Sequence, residues 1–129
     1  MATTHCPCGS GRPFAECCGP FLEGGALPQT AEALMRSRYT AFALGAPDYL
    51  RSSWHSNTCP RDVLPNPTTK WTGLKIVATE AGGPNDIEGE VEFVARYKIQ
   101  GRAHRLHERS RFVRENGEWR YLDGVLDPD

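Results

Sequence analysis

The chain has 129 residues, 39% of them apolar and 24% charged, with a formal net charge of -1. That length suits one ordinary domain with a small appendage, and the mixture excludes a long disordered polymer or a collagen-like repeat. No apolar run approaches the roughly 20 residues needed to cross a bilayer, so no membrane insertion is expected, and the near-neutral balance gives no reason to expect DNA as a partner. The first residues reach two cysteines before any apolar segment, which argues against a secretory leader and for a cytoplasmic location.

Residues 1–28 are rich in Cys, Gly and Pro and carry no sustained helical or strand period. Phe14, Phe21, Leu22 and Leu27 are almost the whole apolar supply, too little for a core. Something other than side-chain burial must order the segment, and a metal can do so. Four of the five cysteines lie here, at Cys6, Cys8, Cys17 and Cys18, while Cys59 stands alone. An odd number suits a disulfide scaffold poorly, and a ring between adjacent Cys17 and Cys18 would be strained. Four thiolates satisfy a tetrahedral Zn2+ ion completely. A closed site leaves no position for water, so the zinc is read as structural, with an iron–sulfur centre or another metal, and a flexible tail without metal, as the minority readings. Gly9, Ser10 and Gly11 allow the tight return such a loop needs. Arg12 and His5 are candidates to offset the negative charge, and His5 is an alternative ligand.

Residues 29–129 read as a single α+β domain. Thr30 caps a helix over 30–44, along which Ala31, Leu34, Met35, Tyr39 and Phe42 form an apolar stripe. Gly45 ends it, and Pro47 opens a short second helix through about Trp54. Pro60, Pro65 and Pro67 make 56–69 irregular. Four strands follow, over 71–79, 87–99, 103–114 and 119–125. Gln100-Gly101 and Asn116-Gly117 supply hairpin turns between them. Helices followed by an antiparallel meander predict two helices packed on the apolar face of one sheet.

Two resemblances bear on this plan. The run from Cys6 to Pro20 is similar to the SEC-C motif, the zinc-binding segment at the end of the SecA translocase motor, with Cys6, Cys8, Ser10, Gly11, Cys17 and Cys18 at the matching positions. In SecA that module contacts the chaperone SecB and the ribosome. The stretches Leu34-Met35-Arg36-Ser37-Arg38-Tyr39-Thr40-Ala41-Phe42, Trp54-His55, His107-Glu108-Arg109-Ser110-Arg111-Phe112 and Gly117-Glu118-Trp119 resemble the YchJ-like, or UPF0225, family of small bacterial proteins. The resemblance implies an NTF2-like cone of curved antiparallel sheet wrapped around helices, preceded by the zinc segment. It implies no activity.

Several polar residues of the cone are candidates for a pocket. Arg36 and Arg38 lie about 200° apart around their helix, so they need not share a role. Arg38 falls nearer the apolar stripe, and a buried arginine there requires a carboxylate or carbonyls. Glu108 is a candidate partner, on the strand face shared by His104, Leu106, Ser110 and Phe112. A structural network and a pocket formed by Arg38, His55, His104 and Glu108 are both open readings. On the opposite face Arg105, His107, Arg109 and Arg111 form a basic ribbon, either an ordinary solvated face or a contact for an acidic protein or RNA. The leading functional expectation is a noncatalytic adaptor that meets a protein partner through its zinc segment, with RNA or the ribosome a weaker expectation. The alternatives are a small-molecule binder or enzyme using the cone interior, and dimerisation through the outer sheet face.

Overall fold

The computed structural model describes residues 5–63 and 65–128. Residues 1–4, on which the expectation about a leader partly rests, lie outside them. The amino-terminal segment holds a 3-10 turn at Phe14–Glu16 and a one-turn helix α1 (Gly19–Leu22). Both are too short to leave a period in the sequence.

The long helix α2 (Ala31–Leu44) begins where the Thr30 side chain accepts a hydrogen bond from the Ala33 amide at 3.0 Å. Such a cap contributes about 1 kcal/mol. It ends at Gly45, whose left-handed backbone, φ 74°, is open to a residue without a Cβ. Pro47 then opens α3 (Pro47–Ser52). This helix stops before Trp54 because the sheet takes over its backbone: Tyr121 N donates to Ser53 O, and His55 N donates to Tyr121 O, both at 2.8 Å.

Four strands follow as an antiparallel meander in the order β1 (Thr69–Ala81), β2 (Glu88–Ile99), β3 (Arg102–Glu115) and β4 (Glu118–Leu126). β1, β3 and β4 run one or two residues beyond their expected bounds at each end, whereas β2 starts one residue later than expected. The Gln100-Gly101 and Asn116-Gly117 reversals have φ of 50° and 79°, and 54° and 82°. These paired left-handed residues match the twist of the flanking strands. Irregularities in register at Trp71/Gly73, Ile76/Ala78 and Arg111/Phe112 bend the sheet into a curve. Its inner face presents Val91, Phe93, Ala95, Phe112 and Trp119 to Ala31, Leu34, Met35 and Tyr39 of α2. The Trp119 indole donates to Gln29 O at 3.1 Å, fixing the entry to the helix. Cys6, Cys8 and Cys18 are buried in this same cluster, so the amino-terminal segment shares the core of the cone.

At the far end of the β1–β2 hairpin two glycine backbones touch. A Cβ at Gly89 would lie 2.6 Å from the Gly82 nitrogen, whereas one at Gly73 meets nothing within 4 Å. Gly89→Ala is expected to lower unfolding free energy by about 1–3 kcal/mol through overpacking. Gly73→Ala should leave it nearly unchanged in the same urea titration. Equal midpoints for the two variants would refute this account of the hairpin.

Candidate metal centre and cone interior

The four clustered cysteines converge because the chain folds back twice over a few residues. Cys6 N donates to Arg12 O at 2.9 Å and Gly9 N to Cys6 O at 3.2 Å, closing a loop in which Gly9 and Gly11 have φ of 79° and 84°. The 3-10 turn then delivers Cys17, whose amide donates to Phe14 O, and Cys18 stands at the start of α1. The Sγ atoms of Cys6, Cys8, Cys17 and Cys18 all lie within 4.8 Å of one another. Cys8 and Cys17 are 3.6 Å apart, and Cys17 and Cys18 are 4.0 Å apart. A tetrahedron with metal–sulfur bonds of about 2.3 Å has sulfur–sulfur edges of about 3.8 Å. The donor set therefore fits a thiophilic divalent ion with all four corners supplied by protein. All five cysteines are free thiols.

Protonation in the cluster reflects competition for a single negative charge. The Cys8 thiol is pulled down to about 4, chiefly by its hydrogen bond with Cys18, with Ser10 assisting against the effect of burial. Cys18 is pushed up by that same bond, and Cys17 is pushed up by burial. A divalent ion would replace the shared protons and stabilise all four thiolates.

The surroundings differ from the sequence expectation. His5 is exposed, pairs with Pro13 as an isolated bridge, and lies outside the four-sulfur group. Arg12 donates to Glu16 O within its own loop. The cation that reaches the cluster is Arg36, from α2. Its Nη1 donates to Cys8 O at 2.9 Å and lies 4.0 Å from Cys8 Sγ, while Nε pairs with Glu32 at 3.1 Å. Cys6 Sγ meets Thr40 Oγ1 at 3.6 Å, and Ser10 Oγ meets Cys17 Sγ at 3.1 Å. Arg36 and Thr40 are one helical turn apart, so a single face of α2 serves as the wall of the cluster.

Arg38 points elsewhere, as the helical angle implies. It is 3% exposed, and its Nη1 donates to Leu50 O at 2.9 Å and to Ser53 Oγ at 2.7 Å. The guanidinium lies between the rings of Trp54 and Tyr121, 4.8 and 4.6 Å from their centroids. Burial lowers its pKa to about 10, leaving it charged at neutral pH. Arg38 and Glu108 line one cavity of about 180 Å³ with Trp54, Trp71, Phe93 and Tyr121. They do not form the expected ion pair. Glu108 instead accepts from Ser110 Oγ and from Tyr121 Oη, the latter at 3.3 Å.

Two of the four candidate pocket residues lie outside the cavity. His55 follows Trp54 in extended backbone, where neighbouring side chains take opposite sides. Trp54 enters the cone, while His55 Nδ1 accepts from Asn57 N and Nε2 approaches Glu115 at 3.9 Å. His104 has the inner-face register but sits near the start of β3, beyond the covered part of the sheet. It is exposed and stacks on Tyr97 at 5.1 Å. Most of the expected basic ribbon is neutralised: Arg109 reaches Glu80, Glu90 and Glu92, His107 reaches Glu92, and Arg111 reaches Asp123. Arg105 differs. It lies directly opposite Arg96, and Lys98 lies opposite Lys70. None of these four has an ion-pair partner among the described residues.

Comparison with known proteins matches the parts of this architecture. Residues 5–20 match the SEC-C motif, and residues 30–124 match the middle NTF2-like domain of YchJ. A UPF0225 protein of Cupriavidus pinatubonensis is 54% identical over 95% of this chain and 89% of its own length. One from Chromobacterium violaceum is 50% identical over 98% and 96%. The chain belongs to the YchJ-like, UPF0225 family. Among solved structures, a SEC-C motif containing protein from Rhodopseudomonas palustris superposes with a TM-score of 0.84 at 33% identity, covering 95% of this chain and 98% of that one. Another from Psychrobacter arcticus gives 0.71 at 26% identity, with coverage of 96% and 83%. The curved sheet around α2 is thus an NTF2-like domain carrying a SEC-C cysteine cluster. Among the described residues no helix is long and apolar enough to cross a membrane.

Replacing Arg36 tests the wall of the cluster. Arg36→Ala is expected to weaken cobalt(II) binding about 10–100-fold, as loss of a partner that orients metal ligands does. Competitive titration of the thiolate-to-cobalt charge-transfer band measures it. Unchanged affinity would show that Arg36 does not support the ligands.

Proposed function

We propose that this UPF0225 protein is a noncatalytic cytoplasmic binding protein, in which a structural zinc ion holds a recognition knob against the NTF2-like cone. The observation that carries this reading is the closed set of four sulfurs, three of them on cysteines buried in the core of the cone. With every corner filled by protein, the ion supplies shape and no chemistry to a substrate. The knob still presents Gly9, Gly11, Arg12, Ala15 and Glu16 to solvent, and this tip is where a protein partner would bind. The resemblance to the SecA module makes a secretion or translation component the expected class.

The surface beside the knob favours an anionic partner. The backbone of Gly9 packs on β1, where a Cβ would lie 3.3 Å from Leu74 O. The outward side chain next along β1 is Lys75, which leads to the Lys70–Lys98 and Arg96–Arg105 pairs. Like charges directly opposite each other are unfavourable unless a counter-charge arrives. An RNA backbone is therefore the second reading.

Intact protein immobilised as bait in a bacterial lysate should retain a defined secretion or translation component. The paired variant Cys17→Ser, Cys18→Ser should lose it while the sheet signal in far-ultraviolet circular dichroism persists. Nuclease treatment separates the two partner classes, since a protein contact survives it and an RNA-mediated one does not. Equal recovery by the cysteine variant would contradict the knob as the binding element.

A further inference from the structure

Arg38 and Trp54 both line the cavity inside the cone. Trp54 Nε1 is buried without any hydrogen-bond partner, the one such side-chain atom among the described residues. An orphaned buried donor costs about 1–3 kcal/mol. Arg38 is beside it. Its acceptors, Leu50 O and Ser53 Oγ, both take Nη1, and among the described residues none takes Nε or Nη2. Among the described residues no carboxylate lies within ion-pairing distance of this buried guanidinium. Two aromatic faces compensate part of its charge, but they accept no directed hydrogen bond.

The acid that shares the cavity is held aside. The Glu108 carboxylate accepts from Ser110 and Tyr121 and lies over Gly124, where a Cβ would come within 2.6 Å of its carboxyl carbon. A larger residue at 124 would displace it. The remaining walls are apolar and mostly aromatic, including Tyr39, Phe42, Trp71 and Phe93.

We propose that this cavity binds a small apolar monocarboxylate, its carboxylate accepting from the Trp54 indole N–H and the Arg38 guanidinium and its body packing among the aromatic rings. The volume of about 180 Å³ is close to the ~150 Å³ of an apolar cavity that takes a benzene ring, so the body is of single-ring size. A dianion is disfavoured because its second charge would meet Glu108. The site is separate from the cysteine cluster and stands whether or not the knob binds a partner.

Benzoate is the probe, with neutral benzamide as its isostere, titrated into zinc-loaded full-length protein and followed by 1H–15N correlation spectra. The Trp54 indole resonance, assigned by its loss in Trp54→Phe, should shift saturably with benzoate. The Trp119 indole, already bonded to Gln29 O, should not move. Benzamide should bind at least about tenfold more weakly, the factor expected when a charge-assisted hydrogen bond is lost. Trp54→Phe keeps a ring in place without the donor and should weaken benzoate by a similar factor, read from the remaining cavity resonances. A Trp54 signal that does not saturate, equal affinity for benzamide, or unchanged benzoate affinity in Trp54→Phe would each overturn the proposal.

Discussion

Four sulfurs within 4.8 Å of one another, on a stretch of chain with almost no apolar mass, are the constraint around which the amino-terminal segment is built. Left as thiols they compete for one negative charge; as thiolates they repel. Burying them together as thiolates requires a cation to join them beneath α2. The helix answers with Arg36 on the Cys8 carbonyl and Thr40 against Cys6. One face of α2 thus lines the sulfur cluster while another packs on the sheet, which ties the ordering of the knob to the ordering of the cone.

The same helix divides two chemistries. Arg36 and Arg38 are two positions apart and face different tasks, one at the cysteine cluster and one in the cone interior. Tyr121 joins the second to Glu108 without letting the two charges meet: its ring lies under the guanidinium and its hydroxyl donates to the carboxylate. This spacing keeps a cation buried without neutralising it. The two charges line one cavity without closing into an ion pair.

Local chemistry made much of the fold legible. The Thr30 cap, the Gly45 stop, the two hairpin turns and the alternation through Val91, Phe93 and Ala95 each follow from short-range rules, and the elements match them closely. Cysteine spacing likewise pointed to the four residues that the fold brings together. What the sequence hid was long-range. That Arg36 rather than Arg12 meets the cluster depends on docking of two segments 28 residues apart. His104 has the inner-face register, but how far α2 covers β3 cannot be read from a strand pattern. His55 was grouped with Trp54 by adjacency, whereas the bridge to Tyr121 sends the two side chains apart. The orphaned indole is invisible to any pattern, because it is defined by what fails to arrive near it.

X-ray absorption at the zinc edge, on protein purified without thiol-reactive reagents and loaded with one equivalent of zinc, probes the sulfur cluster most directly. The account predicts a first shell of four sulfur atoms at about 2.3 Å. Fewer than three sulfurs on the ion, or a disulfide among Cys6, Cys8, Cys17 and Cys18, would contradict it.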